Sequence, residues 1–182
     1  IFSSMDLSKL VAEHEASGNV ATLALRSDGP SRRVTVEADR VVDLRGLLGR
    51  GPGTHLFTGI YVFSPELLEW IPPGEKVSVV PAFVEMVRQG KLGHVVLDEG
   101  AWFDLGDLAS YLGAHRELGL ANPVHVDACI SPGAVVIDSV VGPGAEIGAG
   151  ARVERSVVWP GASVAAGEMI ADAVVTTAGV VR

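Results

Sequence analysis

The segment AWFDLGDLASYLGAH (residues 101–115) places a lone carboxylate, Asp104, between bulky apolar residues and a glycine, directly before a helical pattern. In α/β sheets, the loops that lead from a strand into a helix lie at the carboxyl ends of strands, where ligands bind. Asp104 is therefore a candidate for a functional residue at the opening of a ligand-binding site. The alternative is a structural role in a turn or as a helix cap, although Asp107 is the better placed of the two to cap the helix.

Alternating strand and helix patterns surround this segment. HLFTGIYVF is apolar on both faces, which predicts a central strand. The predicted strands are 20–26, 33–37, 40–45, 55–63 and 94–98, and the predicted helices are 64–70, 78–89, a run that ends before Gly18 and a run that begins after Asp107. This alternation predicts an α/β fold.

Beyond residue 123 the pattern changes to a repeat of seventeen residues. Copies that start at Val124, Val141 and Val158 align without gaps, and each divides into units of six, six and five residues. Such hexapeptide periodicity is typical of a parallel β-helix. The last residues, VTTAGVVR, are similar to the start of a fourth turn. The aliphatic residues that open the units are Val124, Ile130, Val136, Val141, Ile147, Val153, Val158, Val164 and Ile170.

Composition and charge restrict the class of protein. The net charge is −8 and the basic residues are scattered, so we expect no nucleic-acid partner. The single cysteine, Cys129, excludes an internal disulfide and a cysteine-rich zinc site. No apolar run reaches the roughly eighteen residues of a membrane span, and the first residues do not form a signal sequence. We therefore expect no membrane partner and a cytoplasmic location.

The order of these motifs resembles the sugar-1-phosphate nucleotidyltransferase family, with the mannose-1-phosphate guanylyltransferases as the nearest likeness. The resemblance rests on FTGIYVFSPELLEWIPP, a helix ending in RQGKLG, the AWFDLG segment, a helix ending in AHREL and the hexapeptide coils. It implies the C-terminal part of a Rossmann-like nucleotidyltransferase domain followed by a short left-handed parallel β-helix. The implied boundaries are 1–118 for the sugar-binding half, 119–123 for a linker and 124–182 for the β-helix.

The resemblance also implies a reaction and a metal. In this family a sugar 1-phosphate attacks the α-phosphorus of a nucleoside triphosphate, and pyrophosphate leaves. Two aspartates hold a Mg²⁺ ion between the two substrates, and Asp104 matches the aspartate of the family motif W-x-D-x-G-T-P. Such chemistry depends mainly on charge neutralisation and positioning. Here Gly106-Asp107-Leu108 replaces G-T-P, which brings a second carboxylate near the proposed metal.

Three further residues are candidates for substrate binding through the resemblance. Thr58 and Gly59 match a polar residue and a glycine that line the sugar pocket, where the missing Cβ admits the sugar close to the backbone. The alternative is a strand glycine that only gives room to a neighbouring side chain. The Glu-Lys-Pro element of the family is absent, and VVDLRGLLG stands in its place, where Arg45 is a candidate phosphate ligand.

The nucleotide side of the family's site has no match in these residues. Its glycine-rich loop with a catalytic arginine and lysine, its base-reading residues and its first metal aspartate all precede the matched segment. Ile1 stands in an apolar run that is typical of the end of a strand, so we expect a piece of a longer enzyme. We expect this piece to be inactive alone, because it contributes no catalytic residue beyond the metal ligand Asp104.

Two other functions remain open from the sequence. One is a noncatalytic, regulatory relative that binds nucleotide sugars, which the altered G-D-L segment and the missing Glu-Lys-Pro element keep in consideration. The other is a hexapeptide-repeat acyltransferase, for which His125 is the only histidine in the coils. The coils also predict self-association through residues 124–182, as a dimer with Trp159 near the contact or packed on the α/β part.

Overall fold

The computed structural model describes residues 1–119 and 123–182. The chain divides into two compact units, Ile1–Trp102 and Phe103–Arg182. A five-stranded sheet with its helices forms the first unit, and one helix with the hexapeptide coils forms the second. The predicted combination of an α/β part and parallel coils is therefore confirmed. In the described part of the chain, every helix is too short or too polar to cross a bilayer.

The elements of the first unit follow the sequence patterns closely. Its helices are α1 (Ser8–Ser17), a 3₁₀ helix (Pro65–Trp70) and α2 (Val80–Gln89). Its strands are β1 (Phe2–Ser3), β2 (Ala21–Arg26), β3 (Arg32–Glu37), β4 (Arg40–Leu44), β5 (His55–Phe63), β6 (Leu92–Val96) and β7 (Trp102–Phe103), which spans the boundary between the units.

The main sheet has the strand order β4-β3-β5-β2-β6, so β5 is central as predicted. β2 and β6 are parallel, whereas the other neighbours are antiparallel. Phe83 and Met86 of α2 are fully buried together with Leu23 and Leu25 of β2, which places the core between this helix and the sheet. Because β2 and β6 run in the same direction, their carboxyl ends meet at one edge of the sheet, where residues 97–101 leave it.

Two elements of the first unit differ from the prediction. Residues 64–70 do not form an α-helix: Pro65–Trp70 is a 3₁₀ helix, since Ile71 returns to an extended conformation before two prolines that cannot continue a helix. The strand predicted at 94–98 begins at Leu92 instead, because parallel pairing with β2 aligns Ala21 with Leu92 and sets the register.

The second unit consists of α3 and the coils. α3 spans Leu108–Glu117, and Asp107 precedes it as the predicted cap. The coil strands are β8 (Cys129–Ile130), β9 (Val135–Ile137), β10 (Val140–Val141), β11 (Glu146–Ile147), β12 (Arg152–Glu154), β13 (Val157–Val158), β14 (Ser163–Val164), β15 (Met169–Ala171), β16 (Val174–Thr176) and β17 (Gly179–Val181).

The seventeen-residue repeat is realised as three parallel sheets. Each sheet pairs residues that are seventeen positions apart, for example Ile130 with Ile147 and Ile147 with Val164. The other two sides follow the same rule, so every coil contributes one strand to each side, which is the arrangement of a parallel β-helix. Ile147, Val153 and Val158 are fully buried inside it. The seventeen-residue register of the hexapeptide prediction is therefore confirmed by the strand pairing, whereas Ile130 of the first coil is 39% exposed.

The C-terminal residues begin a fourth turn as predicted, since β16 pairs in parallel with β13 and aligns Val158 with Val175. The turn is not continued, because the chain reverses after β16 and β17 pairs with it antiparallel. The Thr176 hydroxyl donates to the Gly179 carbonyl at 3.0 Å and accepts from the Ala178 N–H at 3.1 Å, which closes the hairpin. The hairpin thus supplies backbone partners along the free edge of β16.

Helix α3 packs against the coils. Leu112 of α3 is buried with Val157 and Val174, and the Trp159 indole N–H donates to the Tyr111 hydroxyl at 3.2 Å. The packing boundary thus falls before Asp104, whereas the predicted functional boundary was the linker 119–123. Residues 120–122 of that linker lie outside the described residues, and the 1–118, 119–123 and 124–182 division stays a prediction.

Candidate functional site

A β-bulge interrupts the central strand at Thr58–Ile60. The β2–β5 pairing passes from Leu23 opposite Tyr61 to Leu25 opposite Phe57, so three residues of β5 face Ala24 alone. The Thr58 hydroxyl takes the place of the lost ladder bonds: it donates to the Ala24 carbonyl at 2.8 Å and accepts from the Ile60 N–H at 3.2 Å. The bulge leaves Gly59 on the outside of the strand.

Thr58 and Gly59, both predicted substrate residues, thus occupy opposite sides of the bulge. The Thr58 side chain is fully buried and both of its bonds are internal, whereas Gly59 is exposed. Gly59 has φ +77°, a left-handed conformation that side chains resist. A Cβ at Gly59 would lie 2.5 Å from Ile1 Cδ1, so this glycine gives room to a neighbouring side chain, while Thr58 fixes its conformation from beneath.

We expect Thr58→Val to destabilise the protein more than Thr58→Ser. Valine keeps the shape but leaves a buried carbonyl and an N–H without their partner, which costs roughly 1–3 kcal/mol. Serine keeps the hydroxyl and loses one methyl group, at a cost of about 0.8 kcal/mol. Urea denaturation of the two variants beside the parent measures the difference. Equal stabilities would contradict the bridging role of the hydroxyl.

The loop that leads to the AWFD segment is anchored at the carboxyl edge of β2 and β6. The Asp98 carboxylate accepts from the Ser27 N–H at 2.8 Å and from the Ser27 hydroxyl at 2.5 Å, and these bonds hold the pKa of Asp98 below its usual range. The indole N–H of Trp102 donates to the Thr58 carbonyl at 2.9 Å. This last bond connects the segment that precedes Asp104 to the bulge that carries Gly59.

Close packing fixes the same loop on its other side. Gly100 has φ +85°, and a Cβ there would lie 2.8 Å from the Ser4 carbonyl oxygen and 2.9 Å from the Met5 nitrogen. The Ser4 hydroxyl also accepts from the Ala101 N–H at 2.9 Å, and the Ser4 N–H donates to the Ala101 carbonyl at 2.9 Å. Only glycine fits at position 100, so the loop lies tightly against the residues that follow β1.

Asp104, the predicted metal ligand, is exposed in the second unit. Across residues 1–119 and 123–182, no side chain forms an ion pair or hydrogen bond with it. Asp107 is engaged instead, since its carboxylate accepts from the Ser110 N–H and hydroxyl at 2.8 Å each, which lowers the pKa of Asp107. The two neighbouring carboxylates therefore have different roles, one capping α3 and one available to a ligand.

The donor chemistry of Asp104 suits Mg²⁺ as a single protein contact. Among the described residues there is no cluster of three or more His, Cys, Asp or Glu side chains that could hold a metal. Mg²⁺ is commonly bound by one or two carboxylates, with waters and substrate phosphates supplying the other oxygens. An exposed carboxylate without a competing cation fits that kind of site.

Arg45, the third predicted substrate residue, lies in the loop that follows the edge strand β4. Its side chain is exposed, its φ is +57°, and its N–H donates to the Arg33 carbonyl at 2.6 Å. The buried Asp43 shapes this loop by accepting from the N–H groups of Leu48 (3.1 Å) and Arg50 (2.9 Å). Asp43 was not predicted from the sequence, although an aspartate before a glycine-rich run is a recognisable turn signal.

A cavity of about 790 Å³ lies elsewhere in the first unit, around the start of β6 and the end of α2. It is lined by both arginines and carboxylates, including Arg40, Arg50, Glu37 and Asp39. His94 is nearly buried there, and burial lowers the pKa of its imidazole. The mixed charge and the position away from the carboxyl ends of β2 and β6 separate this cavity from the predicted site.

Comparisons with known proteins agree with these features. Residues 114–182 match the family model described as "GlmU-like, C-terminal hexapeptide". The chain is 32% identical over 170 residues to mannose-1-phosphate guanylyltransferase of Mycobacterium tuberculosis, an alignment that covers 81% of this chain and 47% of the relative. These matches confirm the predicted resemblance to the sugar-1-phosphate nucleotidyltransferases.

Two further comparisons extend this likeness, one in sequence and one in fold. UTP–glucose-1-phosphate uridylyltransferase of Synechocystis is 27% identical over 122 residues, covering 62% of this chain and 31% of the relative. A Bacillus anthracis protein described as a glucose-1-phosphate thymidylyltransferase, crystallised with sucrose, has a similar fold, with a TM-score of 0.51, 19% identity and coverage of 62% of this chain and 49% of that one. The chain spans half or less of the length of these sugar-1-phosphate nucleotidyltransferases.

Proposed function

We propose that this chain forms the sugar-binding part of a nucleotidyltransferase that joins a nucleoside triphosphate to a sugar 1-phosphate and releases pyrophosphate. The observation that carries the proposal is Asp104, which matches the family's metal ligand and is exposed with no described side chain to neutralise it. The similarity to the mycobacterial protein favours a mannose-1-phosphate guanylyltransferase over other members of the family.

Each predicted residue has a role in this proposal. Asp104 supplies one oxygen ligand to Mg²⁺, and the ion when bound offsets the charge of the phosphate groups. In this proposal the missing Cβ of Gly59 lets the sugar approach β5 in the place where Ile1 Cδ1 now lies, 2.5 Å from the position of such a Cβ. Arg45 offers a guanidinium that is suited to two bonds with one phosphate. Thr58 acts through the bulge that it holds.

A regulatory relative is the second candidate. Gly106-Asp107-Leu108 replaces the family's G-T-P, and Asp107 thereby adds a carboxylate close to Asp104 in the sequence, at the cap of α3. A noncatalytic protein of this kind would bind nucleotide sugars without releasing pyrophosphate. Self-association through residues 124–182 stays a prediction for either function.

The test of the proposed function compares this chain with the complete gene product. Each is assayed for pyrophosphate release with GTP, UTP or dTTP and with mannose or glucose 1-phosphate. We expect turnover by an enzyme that contains a glycine-rich nucleotide loop, and none by residues 1–182 alone, because one carboxylate without a phosphate cradle does not hold Mg²⁺ firmly.

Two results would contradict the proposal in different ways. Robust turnover by residues 1–182 alone would mean that the catalytic groups have been misplaced. Binding of nucleotide sugars by the complete gene product, without pyrophosphate release from any of these substrate pairs, would favour the regulatory relative.

A further inference from the structure

Arg26 ends β2 at the carboxyl edge of the sheet and contacts the loop that leads towards Asp104. One terminal nitrogen of its guanidinium donates to the Gly100 carbonyl at 3.0 Å, and the other donates to the Asp98 carbonyl at 3.1 Å. Its Nε donates to the Asp28 carboxylate at 3.2 Å. The side chain is only 15% exposed, so all three nitrogens are used inside the protein.

The contacts of the Arg26 guanidinium hold the loop at residues 98–100 in place, and they contribute little by pairing with an opposite charge. Asp28, which forms the ion pair with Arg26 among the described residues, is 73% exposed, and a surface pair of this kind contributes little. The two carbonyl contacts instead join residues that are more than seventy positions apart in the chain. A fixed guanidinium fork suits this task because its donors diverge in a plane, whereas a lysine ammonium is a single point of charge.

We infer that Arg26 is a positioning residue for the metal-ligand loop, an inference that rests on the proposed function. Arg26 holds residues 98–100 at the carboxyl edge, the Ser4 hydroxyl holds Ala101, and the Trp102 indole is fixed on Thr58. Asp104 follows two residues later in the sequence. The clamp therefore fixes the course of residues 98–102, which lead to the carboxylate in the sequence, without touching a substrate itself.

The first experiment measures loop order directly in this chain by amide hydrogen exchange. In Arg26→Met, exchange at the Ala101 amide should rise by roughly tenfold or more, since two bonds from a charged donor are lost. The amides of the β2–β6 ladder should keep their parental rates. Arg88→Met is the matched control, because within residues 1–119 and 123–182 the Arg88 side chain pairs with Glu85 alone, on the exposed face of α2. Unchanged exchange at Ala101 would overturn the inference, as would an equal rise throughout the sheet.

The second experiment separates positioning from stability in the complete gene product. We expect Arg26→Ala to raise the Mg²⁺ concentration for half-maximal pyrophosphate release by roughly tenfold, as outer contacts of metal ligands do. Added guanidinium ion should restore the parental Mg²⁺ dependence in this variant and have no such effect on Arg88→Ala. Arg26→Lys should remain impaired.

The outcomes distinguish this inference from the proposed function. Faster exchange at Ala101 with an unchanged Mg²⁺ dependence would overturn the positioning role and leave the nucleotidyltransferase proposal intact. If the parent releases no pyrophosphate, the proposed function fails, and the exchange measurement alone then decides whether Arg26 orders the loop.

Discussion

Asp104→Asn in the complete gene product should reduce pyrophosphate release by about a hundredfold or more, because a metal that offsets phosphate charge is worth several kcal/mol in the transition state. Asparagine is nearly isosteric and still accepts a hydrogen bond, so the fold should be retained. High Mg²⁺ or Mn²⁺ should recover part of the turnover, since Mn²⁺ tolerates a weaker ligand set better. The measurement is the metal dependence of pyrophosphate release.

Asp107→Asn is the matched control for this prediction. Its carboxylate caps α3 through Ser110, and asparagine caps helices about as well as aspartate. We therefore expect nearly parental turnover and metal dependence. If Asp104→Asn instead keeps parental turnover and melts at a lower temperature, Asp104 is a structural turn residue and the metal assignment is wrong.

Ile147→Ala should destabilise the coils by roughly 2–5 kcal/mol, because it removes three buried carbon atoms from a closely packed interior. Ile147 is fully buried in the middle coil, stacked in register between Ile130 and Val164. A cavity at this position weakens contacts with both neighbouring coils. Urea denaturation followed by circular dichroism measures the loss.

Ile137→Ala provides the comparison within the same repeat. Ile137 lies in β9 but is out of phase with the interior positions, and its side chain is 38% exposed. We expect a loss of no more than about 1 kcal/mol, as is usual for surface positions. Similar losses for both isoleucines would show that the hexapeptide phase does not identify the interior.

The sequence predicted most elements of the protein because their patterns are local. The seventeen-residue spacing assigned Ile147 and Val153 to the interior, since each coil repeats the same short pattern. The apolar run of β5 indicated a central strand, and Asp107 was identified as a cap from its place before an apolar helical face. Before Pro72 and Pro73, the helix predicted at 64–70 is a 3₁₀ helix rather than an α-helix, because the local pattern does not distinguish the two helix types.

The candidate site was only partly accessible to the same reasoning. Asp104 and Gly59 were predicted from motifs, because the residue types are carried in short segments, and both are exposed in the structure, where their roles stay predictions. The buried role of Thr58 was not predicted. The sequence indicates a pocket residue at this position, and only the bonds of its hydroxyl to Ala24 and Ile60 show that it holds a bulge. A threonine in a strand has the same sequence signature in either role.

The sequence by itself determined the α/β class, the phase of the coils and the likeness to a nucleotidyltransferase. Only the tertiary structure decided that Arg26 clamps the loop at Asp98 and Gly100, that Trp102 bonds to Thr58, and that the last residues form a hairpin. The physical reason is distance along the chain. Periodicity and capping are set by neighbours a few residues apart, whereas a clamp between residues 26 and 100 exists only after the parallel strands have aligned.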